Sequence, residues 1–484
     1  MSNRLLREMA QKRLKIRNAL AGGSSAESQG ETQSADARST RLALDNGSRV
    51  AVIGGGPAGS FFSYFLLQLA RRVDVDIQLD IYESRDFSVP GPTGCNMCAG
   101  VISESLVQAL AIEGINLPPT IVQRGIDSYV LHTETGSAKI YTPLHEMRIA
   151  TVYRGSGPRG VPEVKWESFD GHLLKLAVAD GANLVRDRVS DISWNTERPQ
   201  VHVKGKAPQS YDLLVGAVGV NSPSLSLFEK LGIRYQRPKV RRHFLTELGS
   251  KDESVSSQLG SSMHVFLLNL PSLEFGALIP KGDYVTICLI GTDIERKVVD
   301  SFLQHPTVRE CLRGSWALGP GACHCSPRAS IGDALHPFAD RVVLIGDCGV
   351  TRLNKDGIGA AYRTAKAAAK ATIFEGISAE DFRKHYWPVC RAISHDNWFG
   401  KVIYAVLALI RKMQYPTRGV LRMAKKEQLK GGKERRMSMV LWDMFTGSAS
   451  YRNVFFRTVH PYFLARFTME TIISIFRPSS RDTK

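Results

Sequence analysis

The run Arg49 to Glu83, RVAVIGGGPAGSFFSYFLLQLARRVDVDIQLDIYE, constrains this chain more than any other stretch. Val50 to Ile53 reads as a short apolar strand, Phe61 to Ala70 as an apolar helical run, and Val75 to Tyr82 alternates like a second strand. Between the first two stand Gly54, Gly56 and Gly59 in the spacing GxGxxG, with Pro57 and Ala58 among them. Such a turn needs glycine: Gly54 for the tight exit from the strand, Gly56 for close approach of backbone to a pyrophosphate, and Gly59 for close packing of helix on sheet. The amides at the helix N-terminus then face the negative charge. Glu83 ends the second strand 24 residues after Gly59, where a carboxylate can accept hydrogen bonds from ribose hydroxyls. Strand, turn, helix, strand and acid in this order predict a βαβ unit that binds a dinucleotide.

At 484 residues the chain has room for two or three domains, and 43% hydrophobic with 23% charged residues is a globular composition. The formal charge of +17 is unevenly spread: Lys401 to Lys484 holds 17 Lys and Arg against 5 Asp and Glu, an excess of 12. No nucleic-acid-binding motif accompanies this excess, so no nucleic acid is expected as a partner, and an anionic lipid surface suits it better. Eight cysteines in so long a chain do not suggest a disulfide framework. No charged-then-apolar leader opens the sequence and no run approaches the ~20 apolar residues of a spanning helix. A cytoplasmic location is expected, peripheral on the inner face of a membrane if the basic tail meets lipid.

Residues 1–20 read as a basic amphipathic helix and Ala21 to Thr40 as a disordered linker. The loop Pro90 to Ser103, PGPTGCNMCAGVIS, carries Cys95 and Cys98 as a lone CxxC. Zinc would need a second such pair, and Cys323 and Cys325 stand too close together to supply it, so no metal site is expected. Cys98 is either a redox or substrate-side group or, with Cys95, an inert buried thiol. Arg154 precedes a helix starting near Gly171, which Ser168 or Asp170 can cap. Its guanidinium either meets a cofactor phosphate or adenine or sits in a surface ion pair. Tyr211 to Ser222 is an apolar strand entering a glycine-rich turn, which should bring Gly216 and Gly219 near the cofactor. Strand-like runs between Arg234 and Ile294, broken by Pro271, Pro280 and Gly282, predict an antiparallel sheet suited to covering a substrate cavity.

A second strong block is Arg341 to Phe374, where a buried strand ends in Gly346 and Asp347, and Asp356, Gly357, Ile358 and Gly359 open an alanine-rich helix. Asp347 can bind a ribityl hydroxyl, and the helix amides can stabilise negative charge on a reduced flavin ring. Beyond Asp381 the chain reads as helical. Val402 to Ile410 is apolar on every side, Lys425 to Arg436 is a basic cluster, and Pro461 to Phe476 mixes aromatic and aliphatic residues with Arg466. These segments are either core helices or peripheral contacts with a membrane.

Taken in order, VIGGGPAGS with Glu83, YDLLVGAVGVNS and VVLIGDCGVTRLNKDGIGAA resemble the flavin-binding blocks of the para-hydroxybenzoate-hydroxylase-like flavoproteins. Within that group the chain most resembles the geranylgeranyl reductase family, through the Cys98–Ile102 loop, Phe275 to Gly291 and Leu441 to Phe455. The resemblance spans about residues 48–460. Val218 precedes Gly219 where the hydroxylases carry an acid, and Ala99 replaces a glycine beside Cys98. The resemblance implies an α/β fold with a Rossmann-like FAD-binding domain interleaved with an antiparallel β-rich substrate domain, plus a helical C-terminal region. The expected boundaries are 1–47 for the basic helix and linker, 48–125, 151–233 and 326–385 for the FAD-binding parts, 126–150 and 234–325 for the substrate parts, and 386–484 for the basic helical region.

It further implies reduction of carbon–carbon double bonds of an isoprenoid or other lipid-like substrate by hydride from flavin N5, with Cys98 as the catalytic candidate. FAD would lie against Gly54, Gly56, Pro57, Ala58, Gly59, Glu83, Arg154, Gly346, Asp347, Gly357, Ile358 and Gly359. The electron donor is either NAD(P)H or a reduced ferredoxin-like partner, since no second dinucleotide fingerprint is present. Three other readings stand beside this one: a monooxygenase of an aromatic or polyketide-like substrate, a quinone-linked electron-transfer flavoprotein dehydrogenase, and a flavin-free scaffold. The dehydrogenase ranks low because its cluster needs four cysteines and none follows Cys390.

Overall fold

The computed structural model describes residues 42–95, 97–142, 149–159, 164, 166–249, 258–312, 323–430 and 435–476. The basic N-terminal helix and its linker lie outside them. The glycine-rich run folds as a βαβ unit: strand β1 (Ser48–Ile53), helix α1 (Pro57–Arg72) and strand β2 (Ile77–Tyr82). Pro57 opens α1, where its missing N–H costs nothing, and Arg71 and Arg72 close it where positive charge suits the helix dipole. To these strands the sheet adds β3 (Leu213–Gly216) and β4 (Val342–Leu344), parallel to β1 in the order β4, β3, β1, β2, with short strands at both edges. Covered on both faces, such strands must be apolar almost throughout. Ile53, Tyr82 and Gly216 stand in one register, so the chain leaves all three strands at the same end of the sheet.

On one face α1 packs against the alanine-rich helix α2 (Gly357–Phe374), whose Ala360, Ala365 and Ala368 are wholly buried. Their small side chains allow a close approach, closed by Phe61 and Tyr362 in an edge-to-face pair 5.6 Å apart. Leu225, Phe228 and Val201 cover the other face.

The second large sheet has seven strands, 324–325, 244–249, 284–291, 273–281, 262–267, 128–133 and 136–141 in spatial order. The predicted antiparallel strands between Arg234 and Ile294 are all in it. The sheet is mixed, however: Ser262–Leu267 pairs in parallel with Ser128–Thr133, from a segment well upstream. Segments of the two sheets alternate along the chain, the interleaved α/β arrangement that the sequence implies.

The C-terminal helices lie over one face of this second sheet. Trp442 stacks on Tyr129 at 5.7 Å and Phe445 meets Phe275 at 5.6 Å. Val402 to Ile410 is not an isolated apolar piece but the end of a helix from Trp387 to Ile410. Ile403 is buried in it, whereas Val406 and Leu409 are half-exposed at 50% and 59%. Lys426 of the basic cluster and Arg422 just ahead of it pair with the buried Glu470, so part of that charge is neutralised internally. Among the described residues no helix is long and apolar enough to cross a membrane.

Candidate active site

A cavity of about 610 Å³ opens where the strand ends of the first sheet meet the inner face of the second. Ligands in α/β folds bind in this position, beyond the carboxyl ends of the strands. The turn after β1 forms one end. Gly54 has φ +107°, and a Cβ there would stand 2.6 Å from the Ala217 carbonyl oxygen. A Cβ on Gly59 would stand 1.9 Å from the Gly54 carbonyl oxygen. No side chain fits at either place, so the turn lies flat against β3 and α1 can begin directly from it.

Gly54, Gly56, Pro57 and Ala58 line the cavity, whereas Gly59 stands behind them and packs the helix on the strand. Glu83 also lines it. Its Oε2 accepts the Gly55 N–H at 3.0 Å and its Oε1 the Arg85 N–H at 2.9 Å, so the acid at the end of β2 braces the glycine turn itself.

Arg154 lines the cavity nearby, in a fork with Asp170 whose hydrogen bonds measure 2.8–3.2 Å. Burial works against its charge, but Asp170 and, more weakly, Cys98 and Asp347 raise its pKa. The helix after it is capped by Ser168, which accepts the Gly171 N–H. Asp170 is therefore a partner for Arg154 and not a cap, because its position in the first turn turns the carboxylate back to the guanidinium.

Asp347, Gly357 and Ile358 line the cavity farther along. Burial raises the pKa of Asp347, against the opposing pull of the Thr351 hydroxyl and the Arg154 charge. Gly346 and Gly359 stand outside the lining: Gly346 packs on Ala58, and Gly359 makes room for the Asp356 carboxylate over the first turn of α2. Gly219 lines the cavity as expected. Gly216 does not, since Phe228 and Leu344 crowd its α-carbon from behind.

Cys98 also lines the cavity, half-buried, with Sγ 3.4 Å from the Gly100 N–H. Cys288 and Cys325 flank Leu245 in neighbouring strands, and burial pushes both thiols up to about 12. Cys95 is raised by the same cause.

Past Cys98 the wall becomes apolar. Met263, Val265, Phe275, Ala277 and Ile290 project from one face of the second sheet, and Phe445 comes from the C-terminal helices. Two polar groups in the lining have no signal in the sequence. His243 is buried, and its Nε2 has no hydrogen-bond partner among the described residues; burial, with Arg241 nearby, pushes its pKa down to about 4. Lys355 donates to the Asp443 carbonyl at 2.7 Å and lies 4.0 Å from the centre of the Tyr451 ring. Burial first, then Arg352, depresses its pKa well below the usual lysine value. A lone histidine ahead of a strand and a lysine in a loop carry no pattern; only the positions of the strands around them make them part of a site.

Neither a protein-family model nor a curated protein sequence matches the chain. Solved structures do. A geranylgeranyl bacteriochlorophyll reductase-like protein from Thermoplasma acidophilum superposes with a TM-score of 0.62 at 14% identity, covering 86% of this chain and 99% of that one. The halogenase PltM, solved with phloroglucinol and FAD, gives 0.54 at 13% identity over 89% of this chain and 93% of its own. The p-nitrophenol 4-monooxygenase of Pseudomonas putida gives 0.53 at 16% identity over 84% and 99%. The chain has the fold shared by these reductase-like, halogenase and monooxygenase structures.

Proposed function

We propose that the protein is an FAD-dependent oxidoreductase that reduces a carbon–carbon double bond of an isoprenoid or similarly long lipid-like substrate. The observation that carries this reading is the joint wall of the cavity: a glycine turn built for a pyrophosphate at one end and the apolar face of a β-sheet at the other. FAD fits the residues present, because Gly54, Gly56, Pro57 and Ala58 present the backbone of the turn to the cavity and the His243 Nε2 is a buried polar atom without a hydrogen-bond partner among the described residues. Gly54, Gly56, Pro57, Ala58 and Glu83 would hold its ADP half, and Arg154, Asp347, Gly357 and Ile358 its flavin half. When bound and reduced, the flavin supplies a hydride.

The chain supplies the rest. Met263, Val265, Phe275 and Phe445 exclude water from an alkene and fix its position. A proton must reach the second carbon, and two cavity groups are placed to relay it: the Cys98 thiol, or the Lys355 amino group, whose hold on a proton burial weakens. The basic, partly apolar C-terminal helices suit a docking surface for anionic lipid, from which a long apolar substrate could enter.

The test is anaerobic photoreduction of the FAD-loaded protein followed by mixing with isoprenoid alkenes, quinones or oxygen, and in parallel reduction by NAD(P)H or by reduced ferredoxin. Reoxidation by an alkene, with the saturated product recovered, supports the reading. A second reading, a monooxygenase of an aromatic or polyketide-like substrate, is supported by the likeness to the p-nitrophenol monooxygenase structure. Substrate-stimulated oxygen uptake with a hydroxylated product, and no reaction with alkenes, would replace the first reading by the second.

A further inference from the structure

On the face of the second sheet turned away from the cavity, three side chains from distant parts of the chain converge. His132 lies in the strand Ser128–Thr133, directly opposite Phe266 in the parallel strand Ser262–Leu267. One alternation back along that strand is His264, on the same face. Met263 and Val265, between and beside these positions, line the cavity on the other face. The helix Pro306–Cys311 ends over the two imidazoles, with Cys311 as its last residue.

His132 Nε2 is 2.9 Å from His264 Nδ1, Cys311 Sγ is 3.7 Å from His132 Nε2, and all three ligating atoms lie within 4.8 Å of one another. We propose that His132, His264 and Cys311 form a binding site for a zinc-like divalent transition-metal ion. Zinc takes histidine nitrogen at about 2.0–2.1 Å and thiolate sulfur at about 2.3 Å in a tetrahedral shell. That geometry separates the ligand atoms by roughly 3.3–3.6 Å, so the imidazoles need to part by only a few tenths of an ångström.

The surroundings suit the role. His132 Nδ1 lies 2.8 Å from Ser137 Oγ, a contact that orients the ring so that Nε2 faces the other two ligands. The imidazole stacks on Phe266 with ring centres 4.6 Å apart, which holds its plane. Two imidazoles and one thiolate are a borderline-soft donor set, which favours zinc over magnesium or calcium. Three protein ligands leave the fourth position to water. The ion would tie two strands and a helix, 132, 264 and 311 along the chain, into one unit, and by binding only the folded chain it would stabilise it. The site is separate from the redox cavity and stands whether or not the alkene-reductase reading does.

Full-length protein, stripped with a chelator and titrated with Co²⁺, tests the proposal. The expected result is one equivalent of cobalt with tetrahedral d–d bands and a thiolate charge-transfer band, displaced by Zn²⁺. Cys311→Ser should abolish the charge-transfer band, and Ser137→Ala, which leaves the ligands in place, should weaken affinity by about 10–100-fold. His132→Ala disturbs ring stacking and is a poorer probe. Absence of stoichiometric binding overturns the proposal, as does a charge-transfer band that survives Cys311→Ser, since cobalt would then sit on other thiols.

Discussion

Arg352 and Asp356 form a buried ion pair, Nη1 to Oδ2 at 3.0 Å, with side chains 6% and 1% exposed. Arg352 also donates to the Gly447 and Ala449 carbonyl oxygens, and Asp356 accepts from Ser103 Oγ. The pair thus locks the start of α2 to the C-terminal helices and to the Cys98 loop. It also holds Asp356 in a left-handed backbone conformation at φ +52°, costly for a residue with a side chain. Arg352→Ala leaves Asp356 with the Ser103 hydroxyl and, as its charged partner among the described residues, the more exposed Arg363 at 3.3 Å. Losing one partner of a buried pair costs about 3–5 kcal/mol, and urea unfolding at neutral pH should read a loss of that order. Arg352→Lys keeps the charge but not the fork, and should fall between.

Gly59→Ala should abolish cofactor retention, because its Cβ would meet backbone at 1.9 Å and the turn cannot yield without lifting α1 from the sheet. Gly332→Ala is the matched control, since the nearest atom to a Cβ there is the Lys239 Cβ at 3.8 Å. Flavin absorbance per protein after gel filtration separates the two: near zero for the first, unchanged for the second.

His243 makes stability depend on pH. Its folded pKa of about 4 lies below the unfolded value of about 6.5. Between these values the unfolded chain binds a proton that the folded chain refuses, so stability is complete above pH 6.5 and is lost as pH falls toward 4. At about 1.4 kcal/mol per pKa unit, the loss at pH 4 is roughly 3 kcal/mol. His243→Gln removes this titration, so the gap between the urea midpoints of variant and wild type should change across that window. A constant gap from pH 7 to pH 4 would contradict the assignment.

If the Lys355 amino group relays the proton, Lys355→Met should lower kcat by about 10²–10⁴-fold with little change in KM. Single-turnover flavin oxidation by an alkene reads this step directly. Cys98→Ser, assayed the same way, tells which of the two cavity groups carries the proton.

Membrane docking through the C-terminal helices predicts binding to vesicles rich in anionic lipid and weak binding to neutral ones. Leu409, Ile472, Ile475 and Phe476 are exposed at 59%, 49%, 47% and 78%, and Arg466 shares a helix with the last three. Changing Ile472, Ile475 and Phe476 together to Ser should reduce co-sedimentation severalfold without altering the thermal midpoint, because none of them is buried. Equal sedimentation of wild type and triple variant would remove this surface from consideration.

The sequence by itself determined the βαβ turn, α2 and the apolar strands that carry them. Each depends on residues within one short run: glycine where a Cβ would strike backbone, alanine where two helices meet, alternation where a strand has one buried face. It also held the glycine-turn end of the cavity, since Gly54, Glu83 and Asp347 follow strand ends and Gly357 opens α2, positions that follow from that local pattern. Only the tertiary structure decided that Arg154 would pair with Asp170, that Gly216 would face Phe228, and that His243 and Lys355 would enter the cavity. The same holds for His132, His264 and Cys311, which no spacing connects. Contacts of this kind depend on which strands pair across hundreds of residues and on which face each side chain then occupies, and a one-residue change of register would reverse every one of them.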